Sequence, residues 1–188
     1  MKKIFSSVIV AIVAVMMSFS AQAEGAQWEV VAGMNVANVD ASGASSRIGF
    51  HAGARMTLGI PSVSHGFYGN AAALLSLKGF KAVGITLNPF YLDIPVHFGY
   101  KYAVNNNLAL LGEFGPYFGI GLFGQTDGED VFGDDGYKRF DFGLGLRAGL
   151  EFNQKVPVSI GYDFGLLDIN DGVSAKNRNL TLSVGYKF

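Results

Sequence analysis

The chain contains no cysteine. That excludes disulfide staples, zinc sites built on thiolates and any cysteine nucleophile. Charge is also scarce: only 15% of the 188 residues are Asp, Glu, Lys or Arg, and histidine occurs three times. No basic excess exists to hold a polyanion, so a nucleic-acid partner is excluded. Beyond residue 23 no run of 18 apolar residues occurs, which removes a membrane-spanning helix. What the chain does have is 26 glycines, 16 phenylalanines and 8 tyrosines. A chain this apolar, with no spanning helix, has to bury its apolar groups some other way.

The first residues suggest the compartment. Met1-Lys2-Lys3 is a short basic segment, Ile4 to Phe19 is apolar, and Ala21-Gln22-Ala23 is a small-x-small cleavage site. This is the pattern of a secretory signal peptide, so residues 1–23 are expected to be removed and residues 24–188 to form one domain. Removing Lys2 and Lys3 leaves 12 basic residues against 15 acidic ones in the mature chain.

From there the hydrophobic period is two. In residues 139–152, Phe140, Phe142, Leu144, Leu146, Ala148, Leu150 and Phe152 fall on one face. Arg139, Asp141, Gly143, Gly145, Arg147, Gly149 and Glu151 fall on the other. A helix would smear both sets around its circumference. The same reading predicts eight strands, at 27–37, 47–60, 67–78, 87–102, 107–124, 138–153, 156–168 and 178–188. Residues 61–66, 103–106 and 154–155 read as tight turns, and 38–46, 79–86, 125–137 and 169–177 as longer polar or glycine-rich loops. Short turns at one end and long loops at the other is the arrangement of outer-membrane barrels. In the second strand Ile48, Phe50, Ala52, Ala54, Met56 and Leu58 alternate with glycines, His51 and Arg55. Glycines and ionised groups cannot fill an apolar core, whereas the continuous apolar face suits lipid. The expected fold is therefore all-β: a closed, antiparallel up-and-down transmembrane barrel of eight strands, apolar outside and polar inside.

Eight strands enclose a lumen that side chains can fill. The inward set includes Glu29, Asn35, His51, Arg55, Asp93, His97, Lys101, Glu113, Asp141, Arg147, Glu151, Asp163 and Lys187. Mixed charges of this kind predict a polar network of internal ion pairs, centred on Arg55, Asp93, Glu113, Asp141, Arg147, Glu151 and Asp163, with Glu113 brought towards Arg147 or Asp141. Pro95 and Pro116 fall inside strands, where each removes a ladder hydrogen bond, so bulges or shortened strands are expected there. The third strand alternates weakly.

At the C-terminus Leu180, Leu182, Val184, Tyr186 and Phe188 share one face. They read as the last lipid-facing strand, closing against the first near Trp28, with both termini on the periplasmic side. The stretches "YLDIPVHFGYKY" (Tyr91 to Tyr102), "GPYFGIGLFG" (Gly115 to Gly124) and the final "LSVGYKF" resemble the PorT-type outer-membrane β-barrel proteins of Bacteroidetes. The resemblance implies a small barrel in the outer membrane of a diderm bacterium and carries over no catalytic residues. The terminal residues Leu182, Val184, Tyr186 and Phe188 likewise resemble the signal read by the outer-membrane assembly machinery.

Catalytic chemistry finds little support. His65 lies in a turn beside Ser62 and Ser64, and His51 and His97 are expected too far apart along the lumen to share a metal or form a pair. The loop 125–137 carries Asp127, Glu129, Asp130, Asp134 and Asp135, which could meet divalent cations, although the spacing matches no EF-hand. Phe132 in that loop reads either as an exposed contact residue or as part of a local cluster with Tyr137. The expectation is a non-enzymatic structural or interaction barrel without cofactor or bound metal. Its partners would be outer-membrane lipid and lipopolysaccharide, the assembly machinery during biogenesis, and a protein docking on the surface loops. A narrow channel and a lipid-A-modifying enzyme are the alternatives.

Overall fold

The computed structural model describes residues 26–40, 44–59, 65–82, 85–86, 88–126, 129–132, 137–169 and 174–188. The expected leader (1–23), Ser62, Ser64, Asp127, Asp134 and Asp135 lie outside the described residues.

Eight long strands follow one another: β1 Gln27–Val39, β2 Ser45–Leu58, β3 Gly66–Leu77, β4 Phe90–Asn105, β5 Leu108–Phe123, β6 Phe140–Phe152, β7 Val156–Asp168 and β8 Lys176–Lys187. Each pairs antiparallel with its sequence neighbours, and β8 pairs with β1 from Glu29↔Lys187 to Val39↔Asn177. The sheet therefore closes on itself, which leaves no edge between neighbouring strands. A short ribbon, Phe80–Ala82 with Ile85–Thr86, continues the ladder beside the start of β2, and Gln125–Thr126 pairs with Glu129–Asp130. Among the described residues there is no helix. The eight-stranded antiparallel barrel read from the alternation is the fold observed.

The connections divide the barrel into two ends. One, called here the turn end, has the short hairpins and the C-terminus; the other, the loop end, has the long connections. The β6–β7 hairpin turns through Asn153 and Gln154, with φ of 50° and 61°. Two consecutive left-handed residues match the right-handed twist of the flanking strands. The β4–β5 hairpin is tied by Asn105, whose Oδ1 accepts the backbone N–H groups of Asn107 and Leu108 at 2.8 and 2.9 Å. This side-chain turn lets β4 run to Asn105, three residues beyond the expected end.

The prolines behave differently from expectation. The ladder pairing is interrupted beside Pro95 and Pro116, yet the register is the same on both sides of each gap: Ala71↔Val96 and Leu74↔Asp93 on one side of β4, Pro95↔Tyr117 and Phe98↔Phe114 on the other. No bulge forms there, because a closed ladder fixes the register on either side of a missing bond. The register shifts instead at Phe90/Tyr91, Ala103/Asn105 and Phe164/Asp168, next to strand ends.

The exterior is apolar along nearly its whole height. Val30, Met34, Phe50, Phe67, Phe98, Phe114, Leu146, Ile160 and Leu182 are all more than half exposed. In water this would be a severe liability; hydrocarbon covers it without cost. Aromatic pairs mark both ends, with Phe67 stacked on Phe98 at 5.3 Å and Phe90 on Phe123 at 4.8 Å. Wherever the lumen holds a large side chain, glycine supplies the room. A Cβ at Gly33 would lie 2.5 Å from His51 Cε1, and one at Gly145 would lie 2.7 Å from His97 Nε2.

Candidate functional site: the lumen network

The inward rows bring nearly all buried charge into one column. Near the turn end, Arg55 Nη1 donates to Glu29 Oε1 at 3.0 Å. Lys101 Nζ donates to Glu151 Oε1 at 2.5 Å, and Lys187 Nζ donates to the other carboxylate oxygen, Oε2. One carboxylate thus holds ammonium groups from β4 and β8. Further in, Glu113 is a hub. Arg147 Nη1 donates to its Oε2 at 2.7 Å and the Tyr68 hydroxyl to its Oε1 at 2.9 Å, while His97 Nδ1 stands 3.5 Å away. Of the two partners expected for Glu113, Arg147 is the one it meets, directly across the β5–β6 ladder. Asp141 lies nearer the loop end and accepts from Tyr117 at 3.0 Å and from Asn177 at 2.9 Å.

The loop half is built from different parts. Lys78, just past the end of β3, donates to Asp93 at 2.7 Å. Its ammonium lies 5.5 Å from the centre of the Tyr91 ring and 5.1 Å from that of Tyr117, in cation–π range. Asp163 accepts from Asn179 at 3.2 Å. Lys78 and the tyrosines escaped the sequence reading. The even positions of β3, Tyr68, Asn70, Ala72, Leu74, Ser76 and Lys78, form an inward row, but too mixed in size and polarity to stand out.

Phe132 is buried, at 6% exposure, not presented to the surface. It packs edge-on against Tyr91 with ring centres 5.6 Å apart, and Val131 and Tyr137 join the cluster. The Arg139 guanidinium covers the ring at 5.1 Å and donates to the carbonyls of Gly121 and Leu122. Val39, Ile169 and Ala175 form a second cluster, which Tyr137 also touches. Phe132 turns inward because an apolar ring gains more against Tyr91 than in water. The cluster forms a small apolar cap over Tyr91, and of the two readings of Phe132 the local cluster is the one observed.

One arrangement was not foreseen from the sequence. His51 Nδ1 lies 2.6 Å from Asn35 Oδ1, and His51 Nε2 lies 2.9 Å from Ser183 Oγ. Serine, imidazole and an orienting amide in this order are the parts of an activated nucleophile. All three side chains are buried inside the barrel, however, with Asn35 at 0% exposure. The adjoining cavity is about 20 Å³, room for roughly one water molecule. No acyl substrate reaches Ser183 there. The trio stitches β1, β2 and β8 together, and the Asn35 amide also donates to the Leu77 carbonyl at 3.3 Å. At the turn end His65 stacks on Tyr102, 4.5 Å between ring centres. Among the described residues no group of three His, Cys, Asp or Glu side chains has metal-binding geometry.

A closed barrel with an apolar wall outside and ionised groups inside defines the class: an integral β-barrel of the outer membrane. The chain matches the family model described as the outer membrane protein beta-barrel domain over residues 7–188, and it belongs to that family. Its fold is similar to that of Neisserial surface protein A, at 17% identity with a TM-score of 0.58, covering 88% of this chain and all of that one. Other similar structures are Ail of Yersinia pestis (19% identity, TM-score 0.48, 88% and 100% covered) and the outer membrane enzyme PagL (15%, 0.49, 84% and 98%). No curated protein matches the chain.

Proposed function

We propose that the protein is a non-conducting, non-enzymatic barrel that presents its long loops at the cell surface in a structural or interaction role, with both termini in the periplasm. The observation that carries this reading is the filled lumen. Ion pairs cross it near the turn end, Lys78 and three aspartates occupy the loop half, and Phe132 packs over Tyr91. The voids beside Glu29 and beside Asp163 are about 10 and 20 Å³, water-sized and separate. Purified protein in planar bilayers should give no stable single-channel openings; regular conductance steps would replace this reading with the narrow channel.

The enzyme alternative has its own test. A fluorophosphonate probe should leave Ser183 unmodified in the folded barrel, since His51 and Asn35 hold it away from any entrance. Labelling at Ser183 that is lost in His51→Ala would establish a nucleophile and overturn the non-enzymatic reading.

The motifs at Tyr91–Tyr102, Gly115–Gly124 and the C-terminus support placing the chain near the PorT-type proteins within its family. Leu182, Val184, Tyr186 and Phe188 form the proposed assembly signal. All four point outward from the closing strand, and the Phe188 amide donates to the Trp28 carbonyl at 3.2 Å. Lipid covers this row in the finished barrel, and the same row is open to the assembly machinery before β8 meets β1. Lipopolysaccharide and a protein docking on the loops are the proposed surface partners.

A further inference from the structure

On the β7–β8–β1 side of the barrel the outward columns change character at one level. Val36, Leu180 and Tyr162 stand side by side across β1, β8 and β7. Two residues nearer the loop end the same columns carry Asn38, Arg178 and Phe164, and on β2 Ser46 follows Ile48. Tyr162 and Phe164 pack edge to face, 4.5 Å between ring centres, an aromatic pair of the kind that borders the hydrocarbon band. The apolar wall ends there, at the height where lipid headgroups replace acyl chains. At that border lies a groove of about 670 Å³ on the outside of the barrel, with Val36, Tyr162 and Leu180 on its turn-end side and Asn38, Ser46 and Arg178 on its loop-end side.

The backbone holds the arginine in place. Strand β7 bulges between Phe164 and Asp168, and Arg178 Nη1 donates to the carbonyls of Gly165 at 2.9 Å and Asn177 at 3.0 Å. Its Nη2 donates to Asp40 Oδ2 at 2.9 Å. The Asp40 side chain is 67% exposed against 26% for Arg178, so this is a surface ion pair whose acidic partner gives way at little cost. Phosphate matches the guanidinium fork better than one exposed carboxylate oxygen does. A water-soluble phosphate would gain the arginine alone. A phosphate that carries hydrocarbon also gains the slot along Val36 and Leu180, which is continuous with the wall that lipid already covers. Asn38 and Ser46 add neutral hydrogen-bonding groups suited to sugar hydroxyls.

We propose that this groove binds one phosphorylated glycolipid of the outer leaflet, with a phosphate on Arg178, the sugar against Asn38 and Ser46, and an acyl chain along Val36, Leu180 and Tyr162. The assignment rests on the reading above that the loops face the cell surface and that lipopolysaccharide is a partner, and it gives that partner its place on the barrel.

The test uses the full mature chain in phosphatidylcholine nanodiscs, with backbone amide and arginine Nε signals followed by NMR as bisphosphorylated lipid A is added. Saturable shifts centred on Val36, Asn38, Tyr162, Arg178 and Leu180 are expected. Arg178→Gln should raise the half-saturating lipid fraction about tenfold, and Arg178→Lys should restore part of the loss. Asp40→Asn should lower that fraction about threefold, because it removes the competing carboxylate; a structural role for the ion pair would not produce tighter binding. Equal shifts with dephosphorylated lipid A would overturn the phosphate contact, and equal shifts with phosphatidylglycerol would overturn the glycolipid; neither comparison needs a variant that folds. Saturable shifts on another sector of the rim would keep lipopolysaccharide as a partner and overturn this groove, whereas shifts on no sector would overturn both.

Discussion

The two halves of the lumen bury charge by different means. Every buried glutamate of the network, Glu29, Glu113 and Glu151, lies towards the turn end, and every aspartate, Asp93, Asp141 and Asp163, towards the loop end. Glutamates reach into the lumen and meet arginine and lysine directly, as Glu151 does with Lys101 and Lys187. Aspartates stay near the wall and are held largely by neutral donors, as Asp141 is by Tyr117 and Asn177. The longer acid builds ion pairs across the barrel. The shorter one lies among tyrosine, asparagine and Lys78 side chains, beside a small cavity that Arg147 also lines. Removing one partner therefore orphans an ion in the turn half, whereas in the loop half neutral donors remain on the aspartates.

The largest effect should come from Glu151→Gln. It leaves two buried ammonium groups without a carboxylate, and breaking such pairs costs on the order of 3–5 kcal/mol. Urea unfolding in detergent micelles should show the loss, and a loss below about 1 kcal/mol would mean that the turn half is not held by its ion pairs. Lys78→Met should cost less, roughly 2–3 kcal/mol, although it too removes half of a buried pair. The tyrosine rings on either side of Lys78 accept a methionine, and Ser76 remains as a neutral hydrogen-bond partner of Asp93. Equal losses in the two variants would erase the distinction between the halves.

The cap gives a smaller contrast. Phe132→Ala should cost about 2 kcal/mol, below the usual range for a core phenylalanine, because a loop can collapse where a barrel wall cannot. Proteolysis of the loop should quicken while the strands keep their amide protection. Simultaneous loss of protection in β4 would mean that cap and lumen unfold as one unit.

These contrasts were unevenly legible in the chain. The barrel itself was, because period-two alternation is a local signal that survives wherever one face meets lipid. Over residues 139–152, which contain β6, all fourteen positions obey it. Strand β3 was harder to read, since Ala71, Ala73 and Leu75 outward differ little from Ala72 and Leu74 inward, and Lys78 was lost with that row. Cross-strand partners depend on register, which no single strand encodes. His51 and Ser183 are 132 residues apart and meet only because β8 closes on β1 in one particular alignment. The inward fold of Phe132 was illegible for a related reason: an apolar residue among acids looks exposed until its landing place, Tyr91, is known to face the mouth.

The mildest probe acts on the cap alone, through Tyr137, which touches both apolar clusters. Burial raises its phenol above the ordinary tyrosine value. A group whose folded-state pKa is raised contributes stability that is complete below its unfolded value and is lost as pH rises through the folded one. The cap should therefore loosen at alkaline pH, beginning near the ordinary tyrosine range of about 10 and continuing above it. Protease sensitivity of the loop, followed against pH, should rise in the wild type and stay flat in Tyr137→Phe, which keeps the ring and cannot ionise. The same alkaline step in both proteins would assign it to the lumen, and the cap would then share its titration with the network below.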